Sequence, residues 1–387
     1  MNVAINGLLL GKQESGVERC IRGLVKGLDE SDKPEEALLF VGLGFDDSVW
    51  TPQRVKLHRT WVPHKFRAMR IIYDQMLFPV VSRLRKADLL HCPGYIVPFF
   101  GGAPSVVTVY DLIALKHPKL CKKSNALHFQ RMLPRSVHRA RRVIVPTEAV
   151  KRDVVNILKT PEDKIRVVPP GIDEIFSIVK EEEKQQIREK YDLPKKFILF
   201  VGNIEPKKNL EMLIKIFFAL KMDKQLDHKL VLVGKKGWKF KGVFDLVRHL
   251  DFEEHVVFTD YVPLEELPAI YNLADCFAFP SLAEGFGIPP LEAMACGTPV
   301  VTSEDPALLE TTGDFALHAP ADNKKKFRES LERVILDRSV RRQLREAGLK
   351  HAAKFTWKRY AEQTVQVYRE VLGLEEPAAS EKAVSET

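Results

Sequence analysis

Apolar positions along this chain switch repeatedly between two periods. In the first half, short apolar runs at 3–5, 37–41, 55–58, 89–91, 106–110, 142–145 and 165–168 read as buried strands. Runs at 197–201, 230–233, 256–258 and 276–279 continue the series, and another β-rich run follows Gly297. Between them the spacing becomes helical, as in Val17, Ile21, Leu24, Val25 and Leu28. A basic amphipathic helix is predicted over 66–86, with Met69, Ile72, Tyr73, Met76 and Leu77 packed on a sheet. FTWKRYAEQTVQVYREVLGL reads as a strong helix near the end. Strands alternating with helices predict an α/β fold of doubly wound parallel sheets covered on both faces.

A chain of 387 residues is too long for one ordinary core, so two domains are expected. Pro169-Pro170-Gly171 and the charged run KEEEKQQIREK mark the boundary. The predicted units are 1–175 and 176–355, then a terminal helix over 356–374. The remaining 375–387 are polar, lack aromatics and are predicted to be disordered.

Composition narrows the class. Hydrophobic content of 45% and charged content of 29% fit a soluble globular protein. No apolar run approaches the roughly 20 residues of a membrane span. MNVAINGLLL lacks a basic leader and reads as a first strand rather than a signal peptide. Cys20, Cys92, Cys121, Cys276 and Cys296 form no C-x-x-C pair, which points to a reducing, cytoplasmic setting. No histidine spacing suggests a metal site. The net charge is +8, with basic residues dense between Arg54 and Arg152. They are either solvated helix faces or a surface for an anionic partner. No nucleic-acid-binding signature appears, so an anionic membrane or phosphorylated lipid is the better partner class.

The richest chemistry lies in PSLAEGFGIPPLEAMACGTPVVT, residues 280–302. It reads as a Gly-rich loop and a short helix between two strands. Glu284 precedes the loop, and Glu292 is expected in the first helical turn, with Pro289 or Pro290 opening the helix. A polar ligand is expected between Glu284, the 285–288 backbone and Glu292. Elsewhere, Gly7, Gly11 and Gly16 follow the first strand as either an anion cradle or plain turn residues. Asp111 directly follows an apolar strand and is either a helix N-cap or a site residue. Lys207 and Lys208 precede a helix start, where cations oppose the helix dipole. They are either solvated or hold an anion such as a diphosphate.

Together these motifs resemble the retaining glycosyltransferases of family 4, which have the two-domain GT-B fold with two Rossmann-like domains facing a cleft. The resemblance spans nearly the whole chain. Its most specific part is the E-x7-E spacing of Glu284 and Glu292. VGNIEPKKNL, DYVPLEELPAIYNLADCFAFPS, GKQESGVERCIRGL, KIRVVPPGID and the final helix are similar to further family segments. The resemblance implies an N-terminal acceptor domain, a C-terminal nucleotide-sugar donor domain and a last helix that crosses back. It implies that Glu292 binds ribose and that Glu284 lies at the donor sugar. Phe286, Gly287 and Ile288 would contact sugar and phosphate through their backbones. Lys208, with Lys207, would hold the diphosphate, Gly16 would add an N–H, and Val262 would meet the base. No metal or other cofactor is expected.

Three positions depart from the family pattern. Asp260 stands where relatives often have Gly. Asn203 stands where many carry Arg. Tyr110, before Asp111, replaces a common His that sits by acceptor and donor sugar, and a phenol of pKa about 10 is a poor base at neutral pH. Tyr110, Asp111 and Glu284 are the catalytic candidates. The expected reaction moves a hexose, GDP-mannose being the preferred donor from the EPKKN and GKKGW segments, to a glycan or lipid-linked acceptor. The enzyme would be cytoplasmic, with peripheral membrane contact through the basic N-terminal domain. The alternatives are a nucleotide-sugar epimerase, a sugar phosphorylase, or a weakly active sugar-nucleotide-binding partner subunit.

Overall fold

The computed structural model describes residues 1–11, 15–31, 36–46, 50–63 and 66–374. Part of the early GKQES segment and all of the 375–387 tail therefore lie outside the described residues. Two all-parallel sheets carry the chain. The first holds β1 (Asn2–Asn6), β2 (Glu36–Leu43), β3 (Lys56–Pro63), β4 (Leu89–Cys92), β5 (Ser105–Thr108), β6 (Arg142–Val145) and β7 (Ile165–Val167). Its order is β3-β2-β1-β4-β5-β6-β7. The second holds β8 (Phe197–Val201), β9 (Lys229–Val233), β10 (Val256–Asp260), β11 (Cys276–Phe279), β12 (Val300–Ser303) and β13 (Leu317–Ala319), in the order β10-β9-β8-β11-β12-β13.

Both sheets are doubly wound. The direction of winding reverses between β1 and β4 and again between β8 and β11. At such reversals adjacent crossovers leave on opposite faces and open a crevice at the strand carboxyl ends. The strands are buried on both faces, which is why they read as continuous apolar runs: β8 (FILFV) and β11 (CFAF) are buried throughout.

The helix Trp357–Leu372 leaves the second domain and packs on the helix Gly16–Asp29 of the first. Close approach needs glycine there: a Cβ on Gly23 would lie 2.2 Å from the Trp357 ring. Farther along, Glu370 pairs with Arg142 and Arg166, and the Tyr368 hydroxyl lies 2.6 Å from His91 Nδ1. Burial keeps the His91 imidazole neutral, its pKa lowered to about 3.

Three expectations need correction. The helix Ile288–Ala295 begins one residue before the prolines, with Gly287 as N-cap, so Glu292 sits in its second turn. β5 ends at Thr108, leaving Tyr110 beyond the strand. The 66–86 segment is helical but broken into Arg67–Ile72, a π-helical turn Tyr73–Leu77, and Phe78–Leu84. Of its predicted sheet-facing residues only Tyr73 is buried, while Ile72, Met76 and Leu77 face solvent. The apolar spacing marked a real stripe but could not tell a core-facing stripe from an exposed one.

Candidate active site

The two crevices face each other. On the C-terminal side, the loops after β8, β9 and β10 bring together Gly202, Asn203, Gly234, Lys235, Tyr261 and Val262 around a cavity of about 240 Å³. Ser15 and Glu18 close it from the first helix of the N-terminal domain. Gly16 begins that helix and carries no side chain into the space, with nothing within 4 Å of where its Cβ would be.

Beside this cavity lies a buried charge cluster. Pro206–Lys208 forms a single 3-10 turn that delivers both lysines to the loop after β11. Lys208 Nζ lies 2.5 Å from Glu284 Oε1 and 4.5 Å from the centre of the Phe279 ring, and Lys207 Nζ lies 4.0 Å from Glu284 Oε2. Burial alone would raise the pKa of Glu284, but Lys208 and Lys207 outweigh it and hold the carboxylate below its usual value. Lys207 is half-buried, yet Glu284, Asp111 and Glu205 keep its ammonium above the ordinary value. Asn209 is the N-cap residue of the following helix, Leu210–Lys224, and makes no side-chain capping bond. It adopts a left-handed conformation and donates to the Ala321 carbonyl at 2.9 Å.

The Gly-rich loop touches the other domain. A Cβ on Gly285 would lie 1.8 Å from the Tyr110 carbonyl oxygen, so only glycine fits with the cleft in this position. The Thr147 hydroxyl donates to the Gly285 carbonyl at 3.1 Å, and Glu310 accepts from the backbone N–H groups of Glu148 and Ala149 at 2.7 and 3.0 Å. That carboxylate sits at the first turn of the helix Glu148–Leu158, where the helix dipole favours it. Phe286, Gly287 and Ile288 follow, all buried.

Glu292 is 1% exposed and already partnered. Arg19 of the N-terminal domain contacts its Oε1, and the Tyr271 hydroxyl donates to Oε2 at 2.9 Å. The same guanidinium lies 3.0 Å from Asp173, which in turn accepts from Trp357 Nε1 at 2.9 Å. Burial raises the pKa of Glu292 despite Arg19 and Tyr271. Sequence reasoning missed Arg19, Asp173 and Tyr271. The only available trace was an arginine inside GVERC and an aspartate closing PPGID.

On the N-terminal side a larger cavity of about 560 Å³ opens at the winding reversal. Asp111 lines it with Lys207. Both Asp111 oxygens are engaged: Oδ1 accepts from the Ile113 N–H at 2.9 Å, in the turn leading into the short helix Ile113–Lys116, whose N-cap is Leu112, and Oδ2 accepts from the Tyr95 hydroxyl at 3.1 Å. Tyr110 does not line this cavity. Its ring packs edge-on to Tyr95, its hydroxyl is buried beside Tyr360 and Cys20, and burial pushes its pKa well up. The expectation that Tyr110 acts on the acceptor is therefore corrected: its side chain serves the core, and its carbonyl meets Gly285. The π turn instead presents Asp74 to the cavity, where Asn6 Nδ2 donates to it at 2.7 Å and burial raises its pKa to about 6.

Two Rossmann-like domains with a polar, two-walled cleft and a crossing C-terminal helix define the GT-B class of glycosyltransferase. The sequence profile described as Glycosyl transferases group 1 matches residues 180–351, and that described as Glycosyltransferase Family 4 matches residues 15–175. This chain belongs to glycosyltransferase family 4. It is similar to the O-antigen chain mannosyltransferase B of Escherichia coli, at 27% identity over 92% of this chain and 96% of that protein. It is 30% identical to an uncharacterized glycosyltransferase of Methanocaldococcus jannaschii over 73% of this chain and 75% of that one. Among solved structures it resembles Anabaena HepE in complex with UDP and glucose, with a TM-score of 0.76 at 16% identity, covering 96% of this chain and 100% of that chain.

Among the described residues no group of three His, Cys, Asp or Glu side chains is placed to hold a metal ion. Nor is any described helix long and apolar enough to cross a membrane.

Proposed function

We propose that the protein moves a hexose, with retention, from a nucleoside-diphosphate sugar to a glycan or lipid-linked acceptor. The observation that carries this reading is the pairing of Glu284 with Lys207 and Lys208 beside the cavity at Val262. A base seated against Val262 and Asn203 puts the diphosphate at the lysines and the sugar at Glu284 and the 285–288 loop. Both lysines stabilise charge on the departing diphosphate, where it grows as the glycosidic bond breaks, without calling on a metal ion. Ribose hydroxyls take the place of Arg19 at Glu292, because a carboxylate accepts from a vicinal diol as well as from a guanidinium fork. Asp111 faces the acceptor. With the Tyr110 hydroxyl in the core, the leaving phosphate itself takes the acceptor proton.

GDP-mannose is the preferred donor, supported by the name of the E. coli relative and its near full-length match. We place the enzyme in the cytoplasm, touching the inner face of the membrane through its basic N-terminal domain. A thermal-shift panel of GDP, UDP, ADP and dTDP with their sugars tests the donor. Stabilisation by GDP and GDP-mannose above the others supports the reading, and no stabilisation by any nucleotide defeats it. Unchanged turnover in a chelator checks the metal-free proposal. The buried Tyr110 hydroxyl favours one rival, a partner subunit that binds donor without turning it over. Donor hydrolysis without acceptor rules that out.

A further inference from the structure

Pro79 falls inside a helical stretch, where it has no N–H for the Gln75 carbonyl and its ring crowds that carbonyl. The chain relaxes by widening the turn before it: the Phe78 N–H bonds the Tyr73 carbonyl, five residues back, and Tyr73–Leu77 is π-helical. Single turns of this kind recur at functional sites. Two polar side chains of the widened turn are used within the domain. Gln75 ties down the neighbouring loop, donating to the Val97 carbonyl at 3.1 Å and accepting from the Phe99 N–H at 3.0 Å. Asp74 instead lines the 560 Å³ cavity. The proline accounts for the turn but not for a carboxylate in it.

That carboxylate is half-buried and held in place from β1. Asn6 Nδ2 donates to Asp74 Oδ1 at 2.7 Å, and Asn6 is itself oriented, because its Oδ1 accepts from the Leu8 N–H at 3.2 Å. A carboxylate offers about four acceptor positions, and Asn6 takes one of them. Arg70, one turn earlier on the same helix, favours the charged form without overcoming burial. An ionised Asp74 therefore costs stability that an asparagine would not, a trade that proteins accept at binding sites.

The other walls are aromatic. Tyr95 and Phe129 line the cavity from the N-terminal domain, with ring centres 5.1 Å apart. On the C-terminal side, the loops after β8 and β9 are zipped together: the Ile204 N–H bonds the Lys235 carbonyl at 2.9 Å, and the Gly237 N–H bonds the Ile204 carbonyl at 3.1 Å. A Cβ on Gly237 would lie 2.8 Å from that Ile204 oxygen, so glycine permits the close approach. The zipped loops present Glu205 and Trp238 to the same cavity. Aromatic walls with a few convergent polar groups suit a pyranose, whose C–H faces stack and whose hydroxyls point outward. Asp74, Asp111 and Glu205 together disfavour an anionic one. We propose that Asp74 selects the acceptor, by accepting hydroxyl hydrogen bonds from a neutral pyranose whose C–H face lies on Trp238. This selection belongs to the transferase reaction proposed above and rests on that reading.

The test is saturation-transfer NMR of the full chain in the presence of GDP, titrated with methyl α-mannoside, methyl α-glucoside and mannose 6-phosphate. Saturation is expected to reach at least one methyl glycoside, with weaker binding of the phosphorylated sugar. Asp74→Asn should weaken the glycoside about tenfold, the loss of hydrogen bonds to a charged group. Trp238→Ala should weaken it as well. Thermal unfolding of Asp74→Asn should come no earlier than that of wild type at neutral pH, which separates lost binding from lost folding. Arg70, Tyr73 and Cys92 are the titratable groups coupled to Asp74, with burial keeping the last two neutral, and His128 lines the same cavity. Glycoside binding to wild type should weaken as pH falls through about 6, where Asp74 takes up its proton, and should change less in Asp74→Asn. GDP calorimetry on wild type separates this proposal from the reading beneath it: a protein that binds GDP but neither glycoside fails here alone. Absence of saturation at both glycosides, wild-type affinity in either variant, or tighter binding of mannose 6-phosphate would each overturn the proposal.

Discussion

The cross-domain contact at Glu292 gives the sharpest stability prediction. Arg19→Ala removes the guanidinium that joins Glu292 and Asp173, leaving Glu292 1% exposed with only the Tyr271 hydroxyl at 2.9 Å. Breaking a buried pair on one side costs about 3–5 kcal/mol, because a charge remains without its partner. Adding Glu292→Gln should recover about 1–3 kcal/mol, since an amide keeps the Tyr271 bond without the charge. The pH dependence follows from burial, which raises the Glu292 pKa. A carboxyl group whose folded pKa exceeds its unfolded one favours the fold below both values and loses that stability as pH rises through the folded pKa. Removing Arg19 raises the folded pKa further, so the deficit of Arg19→Ala should be smaller near about pH 5 than near about pH 8. Urea denaturation of wild type, both single variants and the double variant at the two pH values measures this. A cost below about 1 kcal/mol for Arg19→Ala, or strictly additive costs, would refute the reasoning.

Three further perturbations separate the parts of the cleft. Lys208→Ala should weaken nucleoside diphosphate roughly 10- to 100-fold by calorimetry, the loss of one charged hydrogen bond, and leave nucleoside binding within about twofold. Gly285→Ala puts a methyl group on the Tyr110 carbonyl and should hold the domains apart, seen as a larger radius of gyration in solution scattering with secondary structure unchanged. Asp74, with its pKa raised to about 6, costs stability once ionised. Asp74→Asn should therefore be more stable than wild type by about 1–3 kcal/mol near about pH 8 and no more stable near about pH 4, as denaturation at both pH values will report.

Much of the fold was legible because parallel strands buried on both faces must be apolar throughout, and runs such as FILFV and DCFAF announce themselves. β13 escaped because Leu317–Ala319 is three residues long and half-polar. The Gly-rich loop was legible for a different reason: residues 284–292 gather two glycines, two prolines and two glutamates in nine positions, a local signature that stands out even though Gly285 and Glu292 meet the other domain. What could not be read was anything set by domain closure. Arg19 meets Glu292 across 273 positions of sequence, and no local pattern encodes that pairing. Tyr110 looked like a cleft residue because it stands where relatives carry a His, yet its ring turns to the core and leaves Asp111 to the cavity. The 66–86 helix showed its stripe but not its direction, since exposure depends on what packs against it.

The reaction proposed for the cleft is cleavage of the glycosidic bond to a nucleoside diphosphate. Proton NMR of the protein with GDP-mannose, and with the UDP, ADP and dTDP sugars in turn, tests it directly. Nucleoside diphosphate should be released together with a sugar that first appears in the donor's anomeric configuration, and turnover should be lost in Lys208→Ala. A folded protein that leaves every nucleotide sugar intact, or that isomerises the sugar while it stays attached to the nucleotide, would contradict it.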